Sequence, residues 1–175
     1  MSDQDHMSDE DCMRECLALA DQAASWNEVP VGAIVVRNNE IIGRGFNQPI
    51  SSGDPSAHAE MMAIRDAAKT LNNYRMPGAR LYVTVEPCTM CAGVIIHARI
   101  AHLIYGTKEP RSGAVHSHKQ VLEGSHLNHV VEVSQIDNED MMTECATKMT
   151  DFFRRRRSSK TKGDVSQVEV PAKYR

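Results

Sequence analysis

Two short clusters, His58-Ala59-Glu60 and Pro87-Cys88-Thr89-Met90-Cys91, constrain this chain more than anything else in it. An imidazole and two thiolates suit a borderline-soft divalent cation, and zinc takes such ligands tetrahedrally. Three protein ligands leave one position open for water, as in catalytic rather than structural zinc sites. Glu60 lies beside the histidine without being needed as a ligand. A carboxylate there can take a proton from water and later hand one to a leaving nitrogen. Whatever the fold, it has to bring residues 58–60 and 88–91 to one point.

The flanking sequence predicts that both clusters open helices, over 57–64 and 89–98. A helix N-terminus carries roughly half a positive charge, which favours thiolates. Cys88 and Cys91 are three apart, so one helical turn puts both sulfurs on one face. His58 and Glu60 are two apart, about 200° on a regular helix, and can converge only at a helix start or by reaching around the helix. Asp54-Pro55-Ser56 just upstream fits such a start. A lone C-x-x-C also occurs as a redox pair or as half of a structural zinc site, and a lone histidine is commonly a core residue. A redox pair would leave His58 and Glu60 without a role. A structural site needs a fourth ligand, for which His97, His102 and Cys145 are the nearest candidates. The joint pattern is far rarer than its parts, and catalytic zinc uses all four residues.

With 175 residues, 41% of them hydrophobic, the chain is long enough for one domain with a substantial core. Residues 1–7 read as a disordered lead, 8–157 as the folded domain and 158–175 as a disordered polar tail. No apolar run is long enough to span a membrane. The acidic start, with Asp3, Asp5, Asp9, Glu10 and Asp11, lacks the character of a signal peptide. Of five cysteines, Cys12, Cys16 and Cys145 read as buried thiols in a reducing compartment, so cytoplasm is expected.

Ser8, with Asp11 three residues on, predicts the cap of a helix running to about Trp26, with Met13, Cys16, Leu17, Ala20 and Ala24 inward. A hairpin is expected from 31–36 and 41–46, with Gly43 and Gly45 marking a bulge or a close backbone approach. Residues 47–55 read as a loop. Further strands are expected at 81–85, 102–105 and 130–133, and a polar loop at 106–124. A last helix is predicted over 138–157, with Met141, Met142, Cys145, Met149, Phe152 and Phe153 inward. Interleaved strands and helices imply an α/β fold, a three-layer sandwich around one mixed sheet of about five strands. Both clusters fall where helices begin, so one end of the sheet should carry the site.

The pattern H-x-E…P-C-x-x-C is the signature of zinc-dependent base deaminases. Longer blocks narrow the resemblance: Asn27 to Ala33, Ala57 to Arg65, Asn73 to Arg75, Leu81 to Gly93, His97 to Ile100, Leu127 to His129 and Asp151 to Arg154. Over residues 10–157 the chain resembles the tRNA-specific adenosine deaminases of bacteria, a branch of the cytidine/deoxycytidylate deaminase superfamily. That resemblance implies the cytidine-deaminase-like fold and one zinc ion per chain on His58, Cys88 and Cys91, with Glu60 as proton shuttle. It further implies Asn47 against the flipped nucleoside, a homodimer, and conversion of the wobble adenosine of a tRNA anticodon stem-loop to inosine. From residue type alone, Asn47 is a turn residue.

The net charge of −3 argues by itself against an RNA partner. Charge placement points the other way, because Arg154, Arg155, Arg156 and Arg157 form an unbroken basic run that can meet phosphate. Lys108, Arg111 and Lys119 in the polar loop extend that surface if the fold brings the loop near. The same run also reads as a solvated helix end whose cations match the dipole. Two further functions fit parts of the pattern. A deaminase of free guanine, cytosine or nucleosides has no need of a basic helix end. A non-enzymatic zinc module that binds RNA has no use for Glu60.

Overall fold

The computed structural model describes residues 7–161. Helix α1 (Asp9–Ser25) opens on a capping box. The Ser8 hydroxyl accepts from the Asp11 N–H at 3.1 Å and the Asp11 carboxylate from the Ser8 N–H at 3.2 Å. Its buried face is Cys12, Met13, Cys16, Leu17, Ala20 and Ala23, so Ala23 lies inward where Ala24 was expected. Strands β1 (Gly32–Arg37) and β2 (Glu40–Phe46) form the hairpin. Asn38 and Asn39 turn it at φ 51° and 63°, the left-handed pair that a two-residue hairpin loop demands.

Then follow α2 (Pro49–Ser52), α3 (Ala59–Leu71), β3 (Arg80–Val85), α4 (Thr89–His97), β4 (His102–Thr107), β5 (Glu132–Gln135) and α5 (Glu139–Thr161). The sheet order is β2-β1-β3-β4-β5, with β1 antiparallel to both neighbours and β3, β4 and β5 parallel. Period-two alternation sorts the sheet into two cores. Ala33, Val35, Leu81, Val83, Leu103 and Tyr105 face α3 and α4. Ile34, Val36, Tyr82 and Ile104 face α1 and α5. Burial on both faces explains why the central strands read as near-continuous apolar runs.

Four expectations need correction. The span 47–55 contains one helical turn, α2, because Pro49 at its start presets a helical φ. Strand β5 lies two residues later than 130–133. Its register is set by β4, with His102 opposite Glu132 and the Glu132 N–H donating to the Ala101 carbonyl at 2.9 Å. That leaves Val130 81% exposed. Helix α5 continues past Arg157 to Thr161, through part of the expected tail, because residues 158–161 include no Gly or Pro to break it. The Ser158 and Ser159 hydroxyls donate back to the carbonyls of Arg154 and Arg156. Phe153 points outward, 41% exposed, while Phe152 takes the core position. The rest of the expected lead and tail, 1–6 and 162–175, lies outside the described residues.

Pairing also decides where the helices start. Strands β2, β3 and β4 run in the same direction, so their carboxyl ends lie at one end of the sheet. From that end the chain leaves β2 toward α3, β3 toward α4, and β4 into the long loop before β5.

Candidate metal centre and proton relay

His58 is the N-cap of α3 and Cys88 the N-cap of α4, with Cys91 at the third helical position. His58 Nδ1 lies 3.6 Å from Cys88 Sγ and 3.7 Å from Cys91 Sγ, and the three donor atoms all fall within 4.8 Å of one another. Tetrahedral zinc with its usual bond lengths separates N and S ligands by about 3.6 Å. The residues therefore fit zinc in donor type and spacing. His102 instead meets Ser134 Oγ at 2.8 Å, Cys145 belongs to the opposite core, and His97 is exposed at the end of α4. Among the described residues no fourth His, Cys, Asp or Glu joins the cluster, which favours an open position over a closed structural site.

The two thiols are shifted in opposite directions. Cys88 is pulled down to about 3 by its hydrogen bond with Cys91, against burial and helped by His58. Cys91 is pushed well up by that same bond and by burial. His58 is raised, first by its bond to Cys88, against burial. With Cys88 favoured as thiolate and Cys91 held protonated, a cation on the three donors would be needed to keep both sulfurs as thiolates.

Glu60, at the second position of α3, is buried next to this triangle. Burial raises its carboxyl to about 7, with the Cys88 thiolate adding to the rise and its own backbone N–H and His58 opposing. A cation on the three donors would pull that value back down. A carboxyl that changes protonation easily, buried beside the donors, is suited to carry protons rather than to ligate.

Asn47, buried at the end of β2, uses its Oδ1 to accept from the Ala59 N–H at 2.8 Å. That bond fixes Asn47 at the first turn of α3, on the residue next in sequence to His58. Two buried carboxylates went unnoticed in the sequence. Glu28 accepts from the N–H groups of Ile50 at 3.3 Å and Ser51 at 2.6 Å, tying down α2 and with it the segment after Asn47. Glu86 is fastened to the long loop. Their one sequence signal is an acidic residue embedded in an apolar run, as in Val83-Thr84-Val85-Glu86-Pro87.

The basic residues are not gathered into one patch. Lys119 Nζ reaches Thr89 Oγ1 at 3.4 Å, beside the Cys88 turn. Lys108 and Arg111 are exposed on the same loop. Arg154 pairs with Asp151 at 2.7 Å, and Arg156 lies over the Phe152 ring at 5.6 Å. Arg155 lines a groove with Ala24 and Pro30. Gly32, two residues after Pro30, pairs with Phe46, the last residue of β2. The end of α5 thus sits at the same end of the sheet as the metal residues, on the opposite face.

Fold and site define a class, and sequence comparison agrees: residues 6–107 match the cytidine and deoxycytidylate deaminase zinc-binding region. The chain belongs to that family of zinc-dependent hydrolytic deaminases, with one zinc ion per chain. Within it, the chain is 44% identical over 153 residues to the tRNA-specific adenosine deaminase of Haemophilus influenzae, covering 87% of each. A solved structure from a study of A-to-I editing by tRNA:A34 deaminases superposes with a TM-score of 0.72 at 40% identity, over 77% of this chain and 97% of that one. Guanine deaminase from Bacillus subtilis is more distant, with a TM-score of 0.58 at 27% identity over 81% and 93% of the two chains.

Proposed function

We propose that this protein hydrolyses the wobble adenosine of tRNA anticodons to inosine, releasing ammonia. The observation that carries the reading is the His58–Cys88–Cys91 triangle at zinc spacing with the Glu60 carboxyl buried beside it. The named relatives and the A34 deaminase neighbour support the substrate. His58, Cys88 and Cys91 would hold the zinc, whose Lewis acidity makes water a nucleophile near neutral pH. Glu60 accepts the water's proton and delivers it to a ring nitrogen as oxygen adds at carbon 6 of adenine. It then moves a second proton to the departing amine, so that water and adenosine balance inosine and ammonia. The Asn47 amide nitrogen orients the base. A single-stranded anticodon loop lets the base leave the stack at little cost.

A homodimer and a cytoplasmic location complete the reading. Met90, Gly93 and Val94 leave a partly uncovered apolar strip on α4, the kind of face a second copy would cover. None of the five cysteines is paired in a disulfide, which suits a reducing compartment. Among the described residues no helix is long and apolar enough to cross a membrane. Residues 8–157 form the deaminase domain in this reading.

Inosine formation across a total tRNA pool tests the proposal, with free guanine, cytosine, cytidine and adenosine assayed alongside. Inosine at the first anticodon position is expected. Turnover of a free base and none of tRNA would favour the guanine-deaminase-like alternative that the Bacillus subtilis neighbour represents. Sedimentation of the zinc-loaded protein tests the dimer.

A further inference from the structure

Glu86 is the residue after β3, one before Pro87 and two before Cys88, and is 3% exposed. Among the described residues no ion pair includes it. A buried carboxylate without a cation is costly unless hydrogen bonds replace its water. Here they do, and all come from one later segment. Oε1 accepts from the N–H groups of Val115 at 3.1 Å, His116 at 2.7 Å and Ser117 at 2.9 Å. Oε2 accepts from the Glu109 N–H at 3.0 Å and from the Ser117 hydroxyl.

The same segment is stitched to the ligand turn itself. The Ala114 N–H donates to the Pro87 carbonyl at 2.8 Å, and Gly113 forms an isolated bridge with Cys88. A Cβ at Gly113 would stand 2.5 Å from the Glu86 carboxyl carbon, so the approach needs glycine. The buried side of the segment is Gly113, Ala114 and Val115. Its exposed side presents Arg111 and, just beyond the clamped span, His118 and Lys119, the last reaching Thr89, while the His116 ring is held at Nδ1 by the Tyr105 hydroxyl at 2.9 Å. The loop that leaves β4 is therefore a wall built against the metal-bearing turn.

We propose that Glu86 is a positioning residue: it clamps segment 109–117 to the Cys88 turn, so that the segment's exposed side forms the platform for nucleotides flanking the target base. The proposal rests on the tRNA reading above. Only a carboxylate suits the clamp, because both oxygens must accept. In glutamine one of them becomes an NH2 group that faces donors.

Glu86→Gln, of the same shape, tests it in the zinc-loaded full chain. Amide hydrogen exchange at 109 and 115–117 should quicken at least about tenfold while β3 and β4 keep their protection. KM for an anticodon stem-loop should rise by about tenfold with kcat within about threefold, and zinc content should stay at one per chain. Unchanged exchange overturns the clamp. Faster exchange with unchanged KM overturns the platform. Loss of zinc from the variant means that Glu86 serves the ligand turn directly, and overturns the proposal as stated. If Glu86→Gln does not fold, Ser117→Ala removes one donor, and a smaller rise in both exchange and KM is expected; no rise in KM counts against the proposal. A wild-type protein that forms no inosine in tRNA refutes the substrate reading in its own arm, apart from the exchange result.

Discussion

Glu60 and His58 stand two residues apart, and they reach one point because His58 is extended, at φ −74° and ψ 156°, while Glu60 is already helical. Glu60→Ala is expected to keep the zinc and lower deamination by about 10²–10⁴-fold, the usual span for a general acid–base group. Metal analysis beside turnover of the same preparation checks it, and a folded variant without zinc would make Glu60 a ligand instead. Cys88→Ala should empty the site, since the zinc would lose one of three protein ligands; full occupancy in that variant would contradict the assignment. What was legible at this scale was side-chain chemistry at short spacing, His58 with Glu60 and Cys88 with Cys91. Glu28 and Glu86 were not, because their partners are backbone N–H groups, which every residue owns and no sequence pattern marks. The Ala59 N–H that meets Asn47 hid a contact in the same way.

The approach of α3 to the hairpin fixes the height of His58 above the sheet, and two glycines on β2 permit it. A Cβ at Gly45 would stand 2.3 Å from the Ala59 carbonyl oxygen, and one at Gly43 2.3 Å from the Ala63 carbonyl oxygen. Both contacts are to helix backbone, which cannot step aside like a long side chain. Gly45→Ala should therefore destabilise the protein by about 1–3 kcal/mol, in the range for overpacked sites. Thermal unfolding of the zinc-loaded protein reads this, and an unchanged midpoint would mean that α3 is free to shift. Both outcomes foreseen at these glycines occur: close approach at each, and a register shift nearby, where Val35 pairs with Gly43 but Val36 with Ile41. Elements with strong periodicity, α1 and the central strands, were legible within a residue or two. Strand β5 was not, because its register belongs to β4, and α5 overran because Ser158, Ser159 and Lys160 include neither the Gly nor the Pro that ends a helix.

Charge is a property of the whole molecule here, since the net value of −3 conceals an acidic first turn of α1 and a basic end of α5. The four arginines at 154–157 are not equivalent. Arg154 holds Asp151 in an exposed pair, which is weak enough to exchange for phosphate. Arg156 stacks on Phe152, and Arg155 faces the groove beside Ala24 and Pro30, at the end of the sheet that carries the metal residues. A stem-loop reaching the site on the α3 and α4 face has to pass the sheet's end to touch α5, which suits a substrate many nucleotides long and not a free base. Replacing all four arginines by glutamine should weaken tRNA binding and flatten its salt dependence. Each lost contact removes about 0.7 from the slope on single strands, so the change is at most about 3. Zinc content should be untouched, as should turnover of a substrate too short to reach α5. Affinities for tRNA measured across a salt series, for both proteins, read the slope directly. An unchanged slope and affinity would leave the run as a solvated helix end and put the RNA on the 109–119 wall alone.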